Sequence, residues 1–138
     1  MPALTKSVLP ATAAAFDAAL AAALAAHPHQ AVFVLFTGAA AAPGGASWCP
    51  DCEVAKPLLA RTLEEAGGAK PTTLLEVPLP RADYSGNAAH WARAHAGVKL
   101  ERIPTLMRWG RAKKVAQLVE GDCADAAKVR EFVIDWEE

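Results

Sequence analysis

Two cysteines separated by two residues are the part of this sequence best suited to chemistry. Cys49 and Cys52 enclose Pro50 and Asp51, and Trp48 precedes them. Side chains at positions i and i+3 share a helix face, with Cα atoms near the ~5.5 Å that a disulfide prefers. Two thiols in that arrangement can form and break a disulfide by thiol–disulfide exchange. The spacing therefore predicts a redox-active dithiol.

A helix that begins at this motif would make the two thiols unequal. Cys49 would lie at the helix N-terminus, where unpaired N–H groups and the helix dipole stabilise a thiolate. Cys52 would lie one turn inside the helix and be less exposed. Pro50 suits the first helical position, because an N–H there has no partner to lose. We therefore expect Cys49 to be the activated thiol.

Asp51 is expected to tune the redox balance of the pair. An acid in the first turn of a helix stabilises the fold through the dipole. The same charge lies close to Cys49 and opposes its thiolate. We predict that the opposition dominates, so that Asp51→Asn shifts the couple toward a more oxidising potential. The alternative is a solvated residue with no influence on either sulfur.

The remaining metal ligands and thiols are poorly placed for other chemistry. A structural zinc site needs about four ligands, and beside the pair there are only Cys123 and four histidines. His90 and His95 are five residues apart and share no helix face. We therefore expect no metal. Cys123 is predicted to be a small buried hydrophobe rather than a redox residue.

Composition limits the classes of partner. The chain has 138 residues, with 53% hydrophobic and 21% charged residues and a net charge of −1. This length predicts one domain over residues 1–138. The near-neutral balance of charge argues against a nucleic-acid surface or an anionic-membrane surface. No apolar run approaches the ~18–20 residues that cross a bilayer.

The segments around the motif alternate between helix and strand patterns. Before the motif, we predict a short strand near Val8, a helix over 10–26 rather than a cleaved leader, a buried strand over 31–36 and a loop over 37–47. After it, we predict a helix over 52–66 that is kinked at Pro57 and stopped by Gly67 and Gly68, a strand over 72–77 closed by Pro78 and Pro80, and a helix over 85–96. A hairpin of 105–109 with 113–118 follows, and then a last helix, capped by Asp122 or Asp125, that carries Val129, Phe132, Val133 and Trp136. The order predicts an α/β fold, a mixed sheet with helices on both faces.

Several motifs together resemble the thioredoxin family. Residues 48–52 (Trp-Cys-Pro-Asp-Cys) are similar to its active site, Pro57 falls where thioredoxins carry a helix proline, and residues 103–105 (Ile-Pro-Thr) look like its cis-proline segment. The Trp-Cys-Pro-Asp-Cys form, preceded by Phe-Thr-Gly at 36–38 and a Gly-rich insertion, is similar to the Clot group, also called the group of thioredoxin domain-containing protein 17. The resemblance extends from about residue 32 to 133 and implies a thioredoxin fold with a C-terminal β-hairpin and helix.

The resemblance implies a cytosolic disulfide reductase. Cys49 would attack a substrate disulfide and Cys52 would resolve the mixed disulfide. Trp48, Ile103 and a cis Pro104 would form the substrate-docking surface. The substrates would be small disulfides such as cystine and selected protein disulfides. The protein would be a monomer without a bound cofactor, and its electrons would come from NADPH through thioredoxin reductase. Peroxidase-linked activity is attributed to animal members.

One departure from ordinary thioredoxins concerns proton transfer. Thioredoxins bury an aspartate in the strand before the active site, and the corresponding residue here is Leu35. Its task would fall to Asp51, to Glu53 or to water.

Two other functions stay open at this stage. A glutaredoxin-like, glutathione-dependent reductase also uses Cys-Pro-x-Cys, although Trp48 and the lack of a Gly-Gly-x-Asp segment after Pro104 argue against it. A redox-sensing interaction module would use the pair only to switch the binding of a partner.

Overall fold

The computed structural model describes residues 3–26, 30–40, 42, 45–110 and 113–136, which form five strands, five α-helices and one 3₁₀ helix. The elements in chain order are β1 (Leu4–Val8), α1 (Ala13–Ala26), β2 (Val32–Gly38), α2 (Pro50–Ala69), β3 (Thr72–Leu79), α3 (Arg81–Tyr84), α4 (Trp91–Ala94), β4 (Thr105–Gly110), β5 (Lys113–Val119), a 3₁₀ helix (Glu120–Ala124) and α5 (Ala126–Val133). The predicted turn at 111–112, the predicted helix end at 27–28 and residues 41, 43 and 44 of the predicted loop lie outside the described residues.

The strands form one mixed sheet in the order β1-β3-β2-β4-β5. β1 and β2 each pair in parallel with β3, whereas β4 runs antiparallel to β2 and β5 runs antiparallel to β4. α1 and α4 pack against one face of the sheet, and α2 and α5 pack against the other. The predicted mixed sheet with helices on both faces is therefore confirmed, and so is the short strand that includes Val8.

β2 lies in the middle of the sheet because both of its faces are apolar. All seven of its residues are buried. Val34 and Phe36 belong to the core beneath α1, whereas Phe33 and Leu35 belong to the core beneath α2. A continuous apolar run is typical of a strand covered on both sides. This placement brings the end of β2 close to the start of α2, where the cysteine pair lies.

The prediction that α2 stops at Gly67 and Gly68 is wrong. α2 begins at Pro50, contains Pro57 and continues to Ala69. A Cβ atom added to Gly67 would lie 2.7 Å from the Leu4 backbone nitrogen. Gly67 therefore permits close packing of α2 against β1 rather than ending the helix.

The predicted helix over 85–96 is also wrong. The short helices α3 and α4 occupy this region, and between them Gly86 has φ of +71°, in the left-handed region that breaks a helix. His90 then caps the start of α4, and its Nδ1 accepts a hydrogen bond from the Ala92 N–H at 3.0 Å.

Two further predicted boundaries differ, and one of the two predicted caps of the last helix is confirmed. β3 continues through Pro78 to Leu79. α5 is capped by Asp125, which accepts from the Lys128 N–H at 3.1 Å, and not by Asp122. α5 also ends at Val133, so Trp136 lies beyond it.

Candidate active site

The cysteine pair lies where the end of β2 meets the start of α2. Cys49 is the N-cap residue of α2, and its sulfur accepts a hydrogen bond from the Cys52 N–H at 3.3 Å. The backbone N–H of Gly38, at the end of β2, donates to the Cys52 sulfur at 3.4 Å. The helix N-terminus and the strand end therefore both direct N–H groups at the two sulfurs.

The two thiols are close together and differ in exposure. Both are free cysteines, and their sulfur atoms are 2.6 Å apart. Cys49 is 6% exposed and Cys52 is fully buried, so the predicted order of exposure is confirmed, although even Cys49 is largely covered. Burial, followed by the hydrogen bond with Cys49, raises the pKa of Cys52 well above its ordinary value. Cys52 is therefore protonated at neutral pH.

The loop before Cys49 is held by a serine and an acid that the sequence analysis did not assign to this task. The Ser47 hydroxyl donates to the Gly38 carbonyl at 2.5 Å and accepts from the Cys49 N–H at 3.1 Å. The Ser47 N–H donates to Glu53 Oε1 at 2.5 Å. This hydrogen bond to Glu53 anchors the loop to the first turn of α2. A serine before a helix start and an acid within its first turn are the residue types of capping interactions, which was the available signal.

Gly38 allows this loop to lie directly on β2. A Cβ atom at Gly38 would be 2.8 Å from Cys49 Cβ and 2.9 Å from both Ser47 Oγ and Trp48 Cε2. These distances are shorter than real Cβ contacts, so only glycine fits here.

Ile103 and Pro104 lie opposite the cysteine pair. The peptide bond between them is cis, as predicted. The Ile103 carbonyl accepts a hydrogen bond from the Cys49 sulfur at 3.8 Å. The structure therefore brings Ile103 and Pro104 next to Cys49, although they are more than 50 residues away in the sequence.

Cys123 lies behind the cis-proline segment. It is fully buried, as predicted, and its thiol donates to the carbonyls of Leu118 at 3.4 Å and Pro104 at 3.7 Å. The Pro104 carbonyl also accepts from the Glu120 N–H at 2.7 Å. Burial raises the pKa of the Cys123 thiol to about 12, so this sulfur stays protonated. The support it gives to Pro104 was not foreseen from the sequence.

Trp48 directly precedes the cysteine pair and contacts the end of β3 and α3. Its indole Nε1 donates to the Leu79 carbonyl at 2.7 Å, and its ring centroid is 6.4 Å from that of Tyr84. Pro50 and Asp51 are exposed in the first turn of α2. The Asp51 charge adds a little to the burial that raises the pKa of Cys52.

The surroundings of Leu35 contain a buried acid that the sequence analysis missed. Leu35 packs in the core beneath α2, and its register partner on β3 is Glu76. Glu76 is only 7% exposed and pairs with Lys6 at 3.6 Å. It is the only buried carboxylate in the described part of the chain. Only the pairing of two strands brings it beside Leu35.

Within the described ranges, no three His, Cys, Asp or Glu side chains form a group that could hold a metal ion. Over the same residues, no helix has both the length and the apolar character needed to cross a membrane.

Comparison with solved structures supports the fold. The thioredoxin of Schistosoma mansoni superposes with a TM-score of 0.58 at 19% identity, over 94% of this chain and 93% of that one. The thioredoxin of Malassezia sympodialis gives a TM-score of 0.59 at 15% identity, over 96% of this chain and 91% of that one. The architecture is therefore the α/β thioredoxin fold.

Comparison with protein sequences gives the family. The chain is 39% identical over 83 residues to thioredoxin-like protein Clot of Arabidopsis thaliana, which covers 56% of each protein. It is 30% identical over 104 residues to human thioredoxin domain-containing protein 17, covering 72% of this chain and 75% of that one. An 80-residue match at 38% identity to an acireductone dioxygenase of Leishmania braziliensis covers 56% of this chain, which spans about a quarter (23%) of that protein's length. The family model described as "Thioredoxin domain-containing protein 17-like, thioredoxin domain" matches residues 12–135. With this match and a close cysteine pair at the start of α2, the chain belongs to the thioredoxin domain-containing protein 17-like family, the Clot group of the thioredoxin fold.

Proposed function

We propose that this protein is a disulfide reductase in which Cys49 attacks the substrate and Cys52 resolves the intermediate. The observation that carries this proposal is the 2.6 Å approach of the Cys49 thiol, which is 6% exposed, to the fully buried Cys52 thiol at the N-terminus of α2. An attacking thiol must reach a substrate, whereas a resolving thiol needs to reach only the first sulfur. The difference in exposure fits this division of tasks.

The reaction transfers two electrons in two exchanges. The Cys49 thiolate attacks one sulfur of the substrate, the substrate S–S bond breaks, and one half leaves as a thiolate that takes up a proton. Cys52 then loses its proton and attacks the Cys49 sulfur. The second half leaves and is protonated in turn. The substrate ends as two thiols, and Cys49 and Cys52 end as a disulfide.

The surroundings of Cys52 favour this order of events. Burial raises the pKa of Cys52 most, and the hydrogen bond and charge of Cys49 raise it further. Both contributions from Cys49 are lost when its sulfur is bonded to substrate, while the Gly38 N–H remains to stabilise a Cys52 thiolate. Cys52 therefore becomes easier to deprotonate once the mixed disulfide has formed.

The family relation supports the proposed substrates and partners. Trp48 precedes the cysteine pair and Ile103 contacts Cys49, and we assign substrate docking to these two residues and to Pro104. We propose that an extended substrate pairs with the backbone of the segment before the cis proline. The proposed substrates are small disulfides such as cystine and selected protein disulfides. The protein would act in the cytosol as a monomer with no bound cofactor, and receive electrons from NADPH through thioredoxin reductase.

A coupled assay tests this function. Thioredoxin reductase, NADPH, cystine and the purified protein are mixed, and NADPH absorbance is followed. We expect consumption in proportion to the protein, and none with Cys49→Ser. Replacing the reductase by glutathione and glutathione reductase should give much slower turnover. A pair that is oxidised and reduced once without continued consumption of NADPH would instead indicate a redox-sensing module.

A further inference from the structure

A tyrosine and an arginine lie together beside the cysteine pair. Tyr84, at the end of α3, is 4% exposed, and its ring packs near Trp48. The Arg93 guanidinium, from α4, lies over the Tyr84 ring at 4.0 Å from its centroid. Neither residue has a task in the proposed exchange reaction. Their position next to Trp48 is nevertheless close to the cysteine pair.

Both side chains bind the segment that leads into the cis proline. Arg93 Nη1 donates to the Glu101 carbonyl at 3.0 Å, and the Tyr84 hydroxyl donates to the same carbonyl at 3.5 Å. Glu101 is two residues before Ile103, whose carbonyl accepts from the Cys49 sulfur. Two residues span at most ~7 Å. This short connection limits how far the guanidinium can lie from the Cys49 sulfur.

The charges of Arg93 and of the two cysteines all influence the Tyr84 hydroxyl. Burial raises the pKa of the Tyr84 hydroxyl most, the nearby Arg93 charge lowers it, and Cys49 and Cys52 raise it slightly. The positive charge and the two sulfurs thus act on the same hydroxyl from nearby positions.

The Arg93 guanidinium has no carboxylate partner among the described residues and can therefore bind an anion. It is partly buried, and it forms no ion pair with any carboxylate in the described part of the chain. Arg102 and Arg130, by contrast, pair with Glu120 at 3.2 Å and Glu65 at 2.8 Å. A guanidinium has five N–H donors in a planar fork that matches a carboxylate. Stacking on Tyr84 fixes the plane of that fork beside the site.

We propose that Arg93 is a specificity-determining residue that binds a carboxylate of a small disulfide substrate while Cys49 attacks its sulfur. The inference rests on the proposed reductase function and assigns a residue of this chain to the recognition of the amino-acid disulfides proposed above. The guanidinium offsets the repulsion that the carboxylates of the substrate meet from the Cys49 thiolate and from Asp51. Exposed pairs of this kind contribute about 0.2–1 kcal/mol, which corresponds to at most about a fivefold change in rate.

Cystine and cystamine provide a matched pair of substrates, because both carry ammonium groups and only cystine carries carboxylates. The measurement is the second-order rate constant for oxidation of the pre-reduced protein by each compound, which needs no reductase. We expect Arg93→Gln to lower the cystine-to-cystamine ratio by about three- to fivefold. Arg93→Lys should retain much of the ratio. The control Arg61→Gln changes an exposed arginine of α2, nine residues beyond Cys52 and therefore about 13 Å along the helix.

The outcomes separate the inference from the function. If Arg93→Gln slows both disulfides in the same proportion, Arg93 only braces the Glu101 segment and the inference is wrong. If the parent protein reacts with neither compound, the proposed function itself fails. Glu101→Gln provides a second test should Arg93→Gln not fold, because its exposed side chain takes no part in the hydrogen bonds to the Glu101 carbonyl. Removal of this negative charge should raise the ratio about twofold, and an unchanged ratio would count against carboxylate binding.

Discussion

Replacement of Gly38 by alanine tests whether close packing of the active-site loop on β2 holds the cysteine pair in place. The new Cβ atom would lie 2.8–2.9 Å from Cys49 Cβ, Ser47 Oγ and Trp48 Cε2, where ordinary contacts are 3.4–4 Å. These neighbours have little freedom to move, since Ser47 bonds both Gly38 and Cys49 and the Trp48 indole bonds the Leu79 carbonyl. Gly38 has no left-handed φ, so the effect comes from the added methyl group alone.

The expected loss follows from the cost of overpacking. Extra methyl groups in a well-packed region cost about 1–3 kcal/mol, which is a large fraction of the stability of a small domain. We expect Gly38→Ala to lower the denaturant midpoint of the reduced protein with an unchanged m-value. We also expect slower disulfide reduction per folded molecule, because a displaced Cys49 no longer meets Cys52 at 2.6 Å.

Two other glycines of the chain provide controls. Gly68 in α2 has nothing within 4 Å of an added Cβ, so Gly68→Ala should stabilise the protein by about 0.5–1 kcal/mol. Gly67→Ala meets the Leu4 backbone far from the thiols and should lower stability without slowing disulfide reduction per folded molecule. A Gly38→Ala protein with the parent midpoint and the parent rate would refute the reasoning.

The remaining predictions concern the cysteines and Asp51. Cys49→Ser should abolish reduction, whereas Cys52→Ser should accumulate mixed disulfides visible by mass spectrometry; release of free product at the parent rate would reverse the assigned order. Cys123→Ala should cost about 1 kcal/mol of unfolding free energy and leave turnover nearly unchanged. The Cys123 pKa is about 12 in the fold against 9.0 in the unfolded chain, so the unfolded state loses its proton first and stability falls between these pH values. Denaturation in reducing buffer from pH 8 to 11 should show a pH slope that is less steep in Cys123→Ala, by up to ~1.4 kcal/mol per pH unit; equal slopes would contradict this assignment. Asp51→Asn removes a charge that raises the pKa of Cys52 and opposes the Cys49 thiolate. The redox midpoint potential of the pair, measured against a glutathione buffer, should therefore become more oxidising, and a shift of ~30 mV corresponds to ~1.4 kcal/mol. An unchanged midpoint potential would contradict this prediction.

The local features of the site could be predicted from the sequence. The i, i+3 spacing of Cys49 and Cys52 with Pro50 between them specifies a helix start, and the apolar run of β2 specifies a buried strand. The order of helices and strands then limits the fold to a mixed sheet between helices. The cis Pro104 followed from the resemblance to thioredoxins rather than from any property of the segment itself. Each of these features depends on residues that are close together in the sequence.

The errors occurred where distant residues compete with local preference. Gly67 and Gly68 read as a helix stop, yet α2 continues because Gly67 lets it pack against Leu4. Residues 85–96 were predicted to form one helix, but two short helices occupy this region. The second begins at Trp91, whose indole donates a hydrogen bond to the Ala11 carbonyl at 3.0 Å. A contact between residues 80 positions apart in the sequence leaves no local signal.

The chemistry of the site likewise depends in part on the sequence alone and in part on the tertiary structure. The sequence by itself determined which sulfur comes first at the helix N-terminus, because that depends only on the direction of the chain. Only the tertiary structure decided what surrounds the sulfurs. Strand register placed Glu76 beside Leu35, and the packing of α3 and α4 placed Arg93 over Tyr84. The cis-proline turn set Cys123 behind Pro104. Burial and charge, which adjust the reactivity of a thiol, are properties of neighbours in space, and a sequence pattern specifies neighbours only along the chain.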